Sequence, residues 1–337
     1  MATPKLPAIA VDAAGGDNAP REVVRGAVLA AVELGTPILL VGPAGALPDE
    51  HRLPEQVKVV GSGPALTMSE PPIRVLRRRR DASILVAFEQ LRSGRASAVV
   101  SAGPTGATVA AAAMVVGRLP SVKRPAIAAV VPSPGGPGRI LVDSGASPDS
   151  RADDLLGFAR LGVEHARLHL GIAAPRVGLL NVGTEPDKGN EMVRRAHDLL
   201  SQSDLDFCGN VEGYDLFDGP ADVIVADGFS GNVALKAAEA GYRRAARNMP
   251  ALDGGGAAAN PLADGVGGSV LLGVEATVVV AHGAANAEAV RNAVRLATCL
   301  VAEGVARPPL QADAAAPLRQ VAAERLAESF RGVRRAR

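Results

Sequence analysis

Four polar, glycine-rich segments each follow a candidate β-strand and precede a candidate helix. They span residues 12–18, 101–106, 181–190 and 227–232. Glycine lets a ligand approach the backbone closely, and free N–H groups at the start of a helix favour an anion. One such segment would be ordinary turn chemistry. Four of them, with Asp, Asn, Thr and Lys side chains interleaved, predict a site for a phosphate-like anion.

The residues that we expect to bind the substrate all lie in these four segments and carry either no side chain or a small polar one. They are Gly15, Gly16, Asp17, Asn18, Ser101, Gly103, Thr105, Gly106, Gly183, Thr184, Ser230 and Gly231.

Lysine is rare in this chain, and two of its five lysines lie in or next to these segments. Lys188 lies in the third segment. Lys236 follows Asn232 by one helical turn, so that the two side chains share a face. Because helical side chains lean towards the N-terminus, we expect the Lys236 ammonium to reach back to the anion site. The alternative is a solvated surface lysine.

The histidines and cysteines form no familiar metal-binding or nucleophilic motif. His165 and His169 are four residues apart, but no HExxH pattern surrounds them, which favours a surface pair over a zinc site. His282 ends a candidate strand, where a role in the site and a structural hydrogen bond are both open. Cys208 is predicted to be an inert core residue, and with Cys299 it cannot make a disulfide framework. No metal site is predicted.

Two arginine clusters lie outside the four segments. One spans residues 77–80, and the other consists of Arg243, Arg244 and Arg247. Each is either a solvated helix face or a docking surface for an acidic protein or a lipid surface.

A repeated strand–helix pattern must position the four segments. Stretches with helical period, the clearest at 21–34 and 285–301, separate most of nine apolar stretches of strand length. This alternation predicts an α/β fold with a mostly parallel sheet and helices on both faces. The carboxyl ends of parallel strands meet at one edge of a sheet, so we expect the segments to converge there. The nine stretches are 8–12, 38–42, 57–60, 98–101, 126–131, 140–143, 177–182, 222–227 and 277–282.

Composition excludes several classes of protein. The 337 residues are 47% hydrophobic and 21% charged, which excludes a mainly disordered chain. A formal net charge of +1, with six Phe, two Tyr and no Trp, argues against nucleic-acid binding. We predict a single domain over 1–337, with a flexible excursion near 249–268 and a frayed helix at 320–337.

One uncharged stretch, residues 96–117, is long enough to span a bilayer. Its serines and the turn residues 103–106 interrupt it, so we predict a strand, a turn and an alanine-rich helix instead. With only two cysteines, the chain is expected to be cytoplasmic.

The chain resembles the bacterial phosphate acyltransferases of phospholipid synthesis over nearly its whole length. The resemblance implies a Rossmann-like fold akin to phosphotransacetylases and isopropylmalate dehydrogenases, a homodimer, and no metal or nucleotide cofactor. The matching stretches are VDAAGGDNAP (11–20), SAGPTGA (101–107), RPAI (124–127), PRVGLLNVGTEPDKGNE (175–191), GNVEGYDL (209–216), ADVIVADGFSGNVALKAAE (221–239) and GGSVLLGVEATVVVAHGAANAEAVRNAV (267–294).

The activity that this resemblance implies is transfer of a fatty acyl group from acyl carrier protein to inorganic phosphate. The acyl phosphate would feed a membrane glycerol-3-phosphate acyltransferase, which allows peripheral contact with the inner face of the membrane. The alternatives are a phosphotransacetylase that uses acyl-coenzyme A, a dehydrogenase that needs a metal and a nucleotide, and a non-catalytic scaffold.

For this reaction we hypothesise that phosphate itself attacks the thioester carbonyl, so that no enzyme nucleophile is needed. Lys188 and Lys236 would hold the phosphate, together with the N–H groups of Gly183, Thr184 and residues 230–232. Such preorganised donors stabilise developing negative charge.

The thioester carbonyl needs a donor of its own. Asn232 or His282 would polarise it, and Asp227 would orient Lys236 or a loop amide. Two departures from the family pattern, Pro104 in place of Asn and Val280 in place of Lys, put individual roles in question.

Overall fold

The computed structural model describes residues 8–67, 70–133, 136–248 and 267–304. Internal contacts divide the chain into two compact units. Unit 1 comprises Met1–Gly117 and Glu275–Arg337, and unit 2 comprises Arg118–Val274. The single domain over 1–337 stays a prediction, because a division by contacts does not test independent folding. The predicted helix at 320–337 and nearly all of the excursion at 249–268 lie outside the described residues.

All nine predicted strands form, three of them with the predicted bounds and six with ends shifted by one or two residues. Two further strands, β8 and β10, were not predicted. The strands in the described ranges are β1 (Ile9–Asp12), β2 (Ile38–Gly42), β3 (Val57–Gly61), β4 (Ala98–Ser101), β5 (Ala126–Val131), β6 (Arg139–Val142), β7 (Val177–Leu180), β8 (Phe207–Val211), β9 (Val223–Val225), β10 (Ser269–Leu272) and β11 (Thr277–Val280).

Helices lie between most of the strands, as the alternating pattern predicts. The helix predicted at 21–34 has these bounds, and the one predicted at 285–301 begins and ends two residues later. The α-helices in the described ranges are α1 (Arg21–Leu34), α2 (Pro72–Arg78), α3 (Ser83–Arg92), α4 (Thr105–Val115), α5 (Ala152–His169), α6 (Glu191–Ser201), α7 (Asp215–Asp218), α8 (Gly228–Asn248) and α9 (Ala287–Glu303).

The uncharged stretch 96–117 folds as predicted, into strand β4, a turn and helix α4. None of the helices in the described ranges combines the length and the apolar character needed to cross a membrane.

The sheet of unit 1 has the strand order β3-β2-β1-β4-β11, and every neighbouring pair is parallel. Helices α1 and α9 pack against each other, α1 on β2 and α9 on β11, β4 and β1. Helix α3 packs on β1, β2 and β4, with α4 and α2 beside it. The two groups therefore cover opposite faces. Because all five strands run the same way, the loops that follow β1, β4 and β11 leave from one edge.

The sheet of unit 2 has the order β10-β5-β6-β9-β7-β8. Strand β5 is antiparallel to both neighbours, and the pairs from β6 to β8 are parallel. The prediction of a mostly parallel sheet is confirmed. Strand β8 was missed because Gly209 and Asn210 give it a low strand propensity, and β10 because only four residues follow a Gly-Gly pair. Pairing with neighbours compensates in both cases.

Helix α5 carries a buried histidine that has no hydrogen bond. His165 is 1% exposed, and neither ring nitrogen has a hydrogen-bond partner among the described residues. Its ring stacks on that of His169 with the centroids 5.2 Å apart. Burial, with a smaller effect of His169, lowers the pKa of His165 to about 3. The prediction of a surface pair is therefore wrong for His165, which belongs to the core, whereas His169 is partly exposed.

We expect His165→Leu to remove part of the acid sensitivity of the fold. In the unfolded chain this histidine takes up a proton below its ordinary pKa of 6.5, whereas in the folded protein it stays neutral down to about pH 3. The free energy of unfolding therefore falls as the pH drops from 6.5 towards 3, by about 2 kcal/mol at pH 5 for this residue. Urea unfolding at pH 7.5 and at pH 5 measures this. Between the two pH values, the free energy of unfolding should fall by about 2 kcal/mol less in the variant than in the wild type.

The matched control is His51→Leu, because His51 is exposed. An equal loss between the two pH values in wild type and His165→Leu would show that this histidine is not the acid-sensitive group.

Candidate functional site

Three loops meet at the carboxyl edge of the unit 1 sheet. The Asp17 N–H donates to the Gly283 carbonyl at 2.7 Å, and the Asn18 side-chain amide donates to the Ala284 and Ala285 carbonyls at 3.1 and 3.3 Å. The loop after β1 is thus tied to the loop after β11. Asn18 was predicted to contact substrate, but its side-chain amide holds the neighbouring loop through both of its hydrogen bonds.

The loop after β4 is fixed by a buried carboxyl at the end of β1. The Ser101 hydroxyl donates to Asp12 Oδ2 at 2.9 Å and accepts from the Gly103 N–H at 3.0 Å. A Cβ at Gly15 would lie 2.6 Å from the same Oδ2, so the first loop must have glycine there. Burial raises the pKa of Asp12. Asp12 is a positioning residue that the sequence prediction missed, although a carboxylate at a strand end before a glycine pair is a usable signal.

The start of α4 presents backbone donors. Pro104 precedes the helix, and its carbonyl accepts from Ala107 and Thr108 at 2.9 and 3.0 Å. The N–H groups of Thr105 and Gly106 have no acceptor within the described ranges. An anion at this helix start would find two backbone donors. That Thr105 and Gly106 bind the substrate stays a prediction. Pro104 lies outside the helix, so its missing N–H removes no helical bond.

His282 lies in the loop after β11, and its hydrogen bond defines its tautomer. The Ala284 N–H donates to His282 Nδ1 at 3.1 Å. A neutral imidazole that accepts at Nδ1 carries its proton on Nε2. His282 can therefore be a hydrogen-bond donor through Nε2, which is the property that polarising a carbonyl requires. Its role in the reaction stays a prediction.

In unit 2, Asp227 occupies the start of α8. Its Oδ1 accepts from the Phe229 and Ser230 N–H groups, both at 3.0 Å, and its carbonyl accepts from Gly231 at 2.9 Å. The prediction that Asp227 orients a loop amide matches these bonds. The backbone donors of Ser230 and Gly231, predicted to hold phosphate, are engaged by Asp227 in this structure, because a carboxylate before a helix satisfies its first N–H groups.

The loop after β6 supports the same helix start. Asp143 is fully buried, and its carboxylate accepts from four backbone N–H groups at 2.7–3.0 Å. Burial raises its pKa, although these bonds oppose the shift. Gly145, at a φ of +139° that favours glycine, lies against the Asn232 side chain. A Cβ at Gly231 would overlap the Asp143 carbonyl oxygen. Sequence reasoning did not select Asp143.

Lys236 does not reach back towards the start of α8. Its ammonium lies 3.0 Å from Glu239 Oε2, one turn further along the helix. The Lys236 side chain is half exposed, whereas that of Glu239 is buried. The predicted direction is wrong in this structure. The buried Glu239 carboxylate attracts the ammonium, whereas the start of a helix carries a partial positive charge and does not.

Lys188 lies in a loop that two asparagines hold. The Asn181 amide donates to the Lys188 carbonyl at 3.1 Å, and the Asn210 amide of β8 donates to the Glu185 carbonyl at 2.8 Å. Lys188 is exposed, and across the described residues its ammonium has no ion pair. Gly183 is buried beneath it and Thr184 is exposed. Asn210 is a supporting residue that sequence reasoning missed.

Solved structures share this architecture and define the class of fold. A phosphotransacetylase from Streptococcus pyogenes superposes with a TM-score of 0.60 at 19% identity, covering 88% of this chain and 94% of that one. A 4-hydroxythreonine-4-phosphate dehydrogenase from Klebsiella pneumoniae gives a TM-score of 0.53 at 15% identity, covering 86% and 98%. The fold is the α/β fold of these two kinds of enzyme.

Sequence comparison is more specific. Residues 8–251 match the model of the family described as "Fatty acid synthesis protein". The phosphate acyltransferase of Thermobifida fusca is 44% identical over 322 residues, which cover 88% of each chain. That of Geobacillus thermodenitrificans is 40% identical over 314 residues, 88% of this chain and 96% of the other. The chain belongs to this family of phosphate acyltransferases, and the protein is an acyltransferase.

We expect Gly231→Ala to destabilise the start of α8 and to lower acyltransferase activity. The added methyl group would overlap the Asp143 carbonyl oxygen, which the bonds to the Asp143 carboxylate hold in place. Overpacking of this kind costs about 1–3 kcal/mol. Thermal unfolding and the rate of acyl transfer measure the two effects.

Gly241→Ala in the same helix is the matched control. A Cβ there meets no atom within 4 Å. The substitution should leave activity unchanged and stabilise the helix by up to about 1 kcal/mol. Similar behaviour of the two variants would contradict the steric argument.

Proposed function

We propose that this protein transfers a fatty acyl group from acyl carrier protein to inorganic phosphate. A phosphate oxygen forms a bond to the thioester carbonyl carbon, and the carbon–sulfur bond breaks. The products are acyl phosphate and the carrier thiolate, which takes up a proton to become the free thiol. The description of the family and the names of the relatives support an acyl group and a phosphate as the two substrates.

One observation carries the assignment of the phosphate site. Strands β7 and β9 are parallel neighbours, and each is followed by a segment with an exposed lysine, Lys188 in one and Lys236 in the other. Two ammonium groups can offset the charge of phosphate as it approaches a carbonyl that becomes an oxyanion. Since Asp227 engages the backbone donors at the start of α8, Lys188 carries the larger part of this task, and Lys236 shares it once its ammonium leaves Glu239.

The thioester carbonyl needs a neutral donor rather than another cation. Asn232 is exposed in the first turn of α8 and lies against Gly145, so its amide is placed at the same strand ends. One well-placed donor of this kind is worth about 3 kcal/mol in the transition state.

Cys208 does not suit the role of a covalent nucleophile. Its thiol is partly buried and donates to the Val177 carbonyl at 3.2 Å. Burial raises its pKa, which disfavours the thiolate. Direct attack by phosphate agrees with this, as no enzyme nucleophile is required.

A second candidate is a phosphotransacetylase that takes its acyl group from coenzyme A. The likeness in fold to phosphotransacetylases is the observation that favours it. Presenting the same acyl group on carrier protein and on coenzyme A, with phosphate, separates the two. We expect acyl phosphate and free thiol in equal amounts, with a higher kcat/KM for the carrier. A dependence on magnesium and NAD would instead indicate a dehydrogenase.

The proposed product suggests the partners of this enzyme. A mixed anhydride of a fatty acid and phosphate is reactive and amphipathic, and a membrane glycerol-3-phosphate acyltransferase would consume it. We propose a cytoplasmic homodimer that contacts the inner face of the membrane peripherally.

We expect Lys188→Met and Lys236→Met each to lower kcat/KM for phosphate by at least about tenfold. A charged hydrogen bond is worth roughly 1.5–3 kcal/mol, and methionine keeps the length of the side chain without its charge. If the lysine holds phosphate in the ground state, KM rises. If it meets only the developing charge, kcat falls. Steady-state rates over a range of phosphate concentrations distinguish the two.

Lys58→Met is the control, because Lys58 is an exposed lysine on strand β3. Its kinetics should match those of the wild type. For Lys236, the variant Glu239→Gln removes the counter-charge and keeps the ammonium. A loss in Lys236→Met that Glu239→Gln reproduces would assign Lys236 to the ion pair and not to phosphate.

A further inference from the structure

Helix α2 presents a row of arginines on its outer side. Arg74, Arg77 and Arg78 are spaced i, i+3 and i+4, so they share one face, and all three are exposed. Leu76, on the opposite side, is fully buried. We call these three residues, with the exposed Arg80 that follows the helix, the α2 arginine face.

The α2 arginine face has no acidic partner within the chain. None of its four members forms an ion pair in the part of the chain that the structure describes. Their neighbour Arg79 differs, since it pairs with Glu70 at 3.3 Å and donates to the Pro64 carbonyl. The lack of an ion pair is therefore specific to these four arginines and is not shared by every arginine of this segment.

Two arginines on other helices are matched with acids one turn away. Arg92 pairs with Glu89 and Arg291 with Glu288. Arginines at i, i+3 and i+4 repel one another instead, which destabilises a helix. A short helix that keeps this arrangement without a counter-charge is suited to an external acidic surface.

The α2 arginine face lies beside the predicted substrate loop of unit 1. Helix α2 packs on α4. A Cβ at Gly106, in the first turn of α4, would contact the ring of Pro72, the first residue of α2. Seven helical residues span about 10 Å, so the three arginines within α2 lie within about one helix length of Pro72, the residue that abuts the start of α4.

We propose that the α2 arginine face docks the acidic surface of an acyl carrier protein. This inference rests on the proposed function and names the surface that would select the protein-bound donor over a small thioester. The acyl group of a carrier hangs on a long flexible arm, so the carrier needs to bind beside the substrate loop and not over it. Ile73, exposed at 58%, adds an apolar contact next to the arginines.

The test is the triple variant Arg74→Glu, Arg77→Glu and Arg78→Glu. We expect its KM for acyl carrier protein to rise by about tenfold or more, because charges at an interface act mainly on the rate of association. Its KM for acyl-pantetheine, a thioester without the protein, and its KM for phosphate should not change. Raising the salt concentration should increase the carrier KM of the wild type and have little effect on the variant.

The matched control reverses three exposed arginines elsewhere in unit 1, at Arg25, Arg52 and Arg95. It changes the net charge by the same amount and should leave the carrier KM unchanged. An equal rise in both triple variants would overturn the proposal in favour of a general field. A rise in the carrier KM that occurs only when the charges of Arg243 and Arg244 of α8 are reversed would also overturn the proposal.

Two other outcomes are distinguishable. If the triple variant keeps its carrier KM but no longer sediments with vesicles of anionic phospholipid, the face binds lipid and the proposal is wrong. If the wild type forms no acyl phosphate from either acyl carrier protein or acyl-pantetheine, the proposed function fails first. Circular dichroism of the variant establishes that α2 and its neighbours still fold.

Discussion

Carboxylates buried at strand ends hold the loops of the candidate site in place. Asp143 accepts four backbone N–H groups, Asp227 accepts two through one oxygen, and Asp12 holds the loop after β4 through the Ser101 hydroxyl. A buried carboxylate is costly unless its hydrogen bonds are made, so each loop must adopt the shape that makes them. The glycines follow from this, since a Cβ at Gly15 or Gly228 would lie 2.6 Å from a carboxylate oxygen.

This arrangement determines which groups are left for a substrate. Because Asp227 satisfies the first N–H groups of α8, that helix start is not an open anion site, whereas the start of α4 still presents the donors of Thr105 and Gly106. The two lysines near these loops show the same difference between a paired and an unpaired group. The ammonium of Lys236 is matched by Glu239, and that of Lys188 has no ion pair in the described ranges. In the described ranges, the loops of each unit therefore carry few polar groups that no other protein group engages.

Helical surfaces show the same contrast between matched and unmatched charge. The pairs Arg92–Glu89 and Arg291–Glu288 cover solvated faces and contribute little to stability. On α2 the arginines have no such partners, and the helix abuts the loop that presents the α4 donors. An unmatched surface charge acts on encounter with a charged partner more than on folding.

The strand–helix alternation, the mostly parallel pairing and the positions of the polar loops could be predicted from the amino-acid sequence, because apolar periodicity and glycine placement are local properties. It could not show that Ser230 and Gly231 give their N–H groups to Asp227, nor that Lys236 turns towards Glu239, because helix spacing allows an ammonium to lean either way. His165 was misplaced for a related reason, since burial is set by packing against the rest of the unit. Tertiary structure alone decided these points, as each depends on which partner competes for a polar group once water has been excluded.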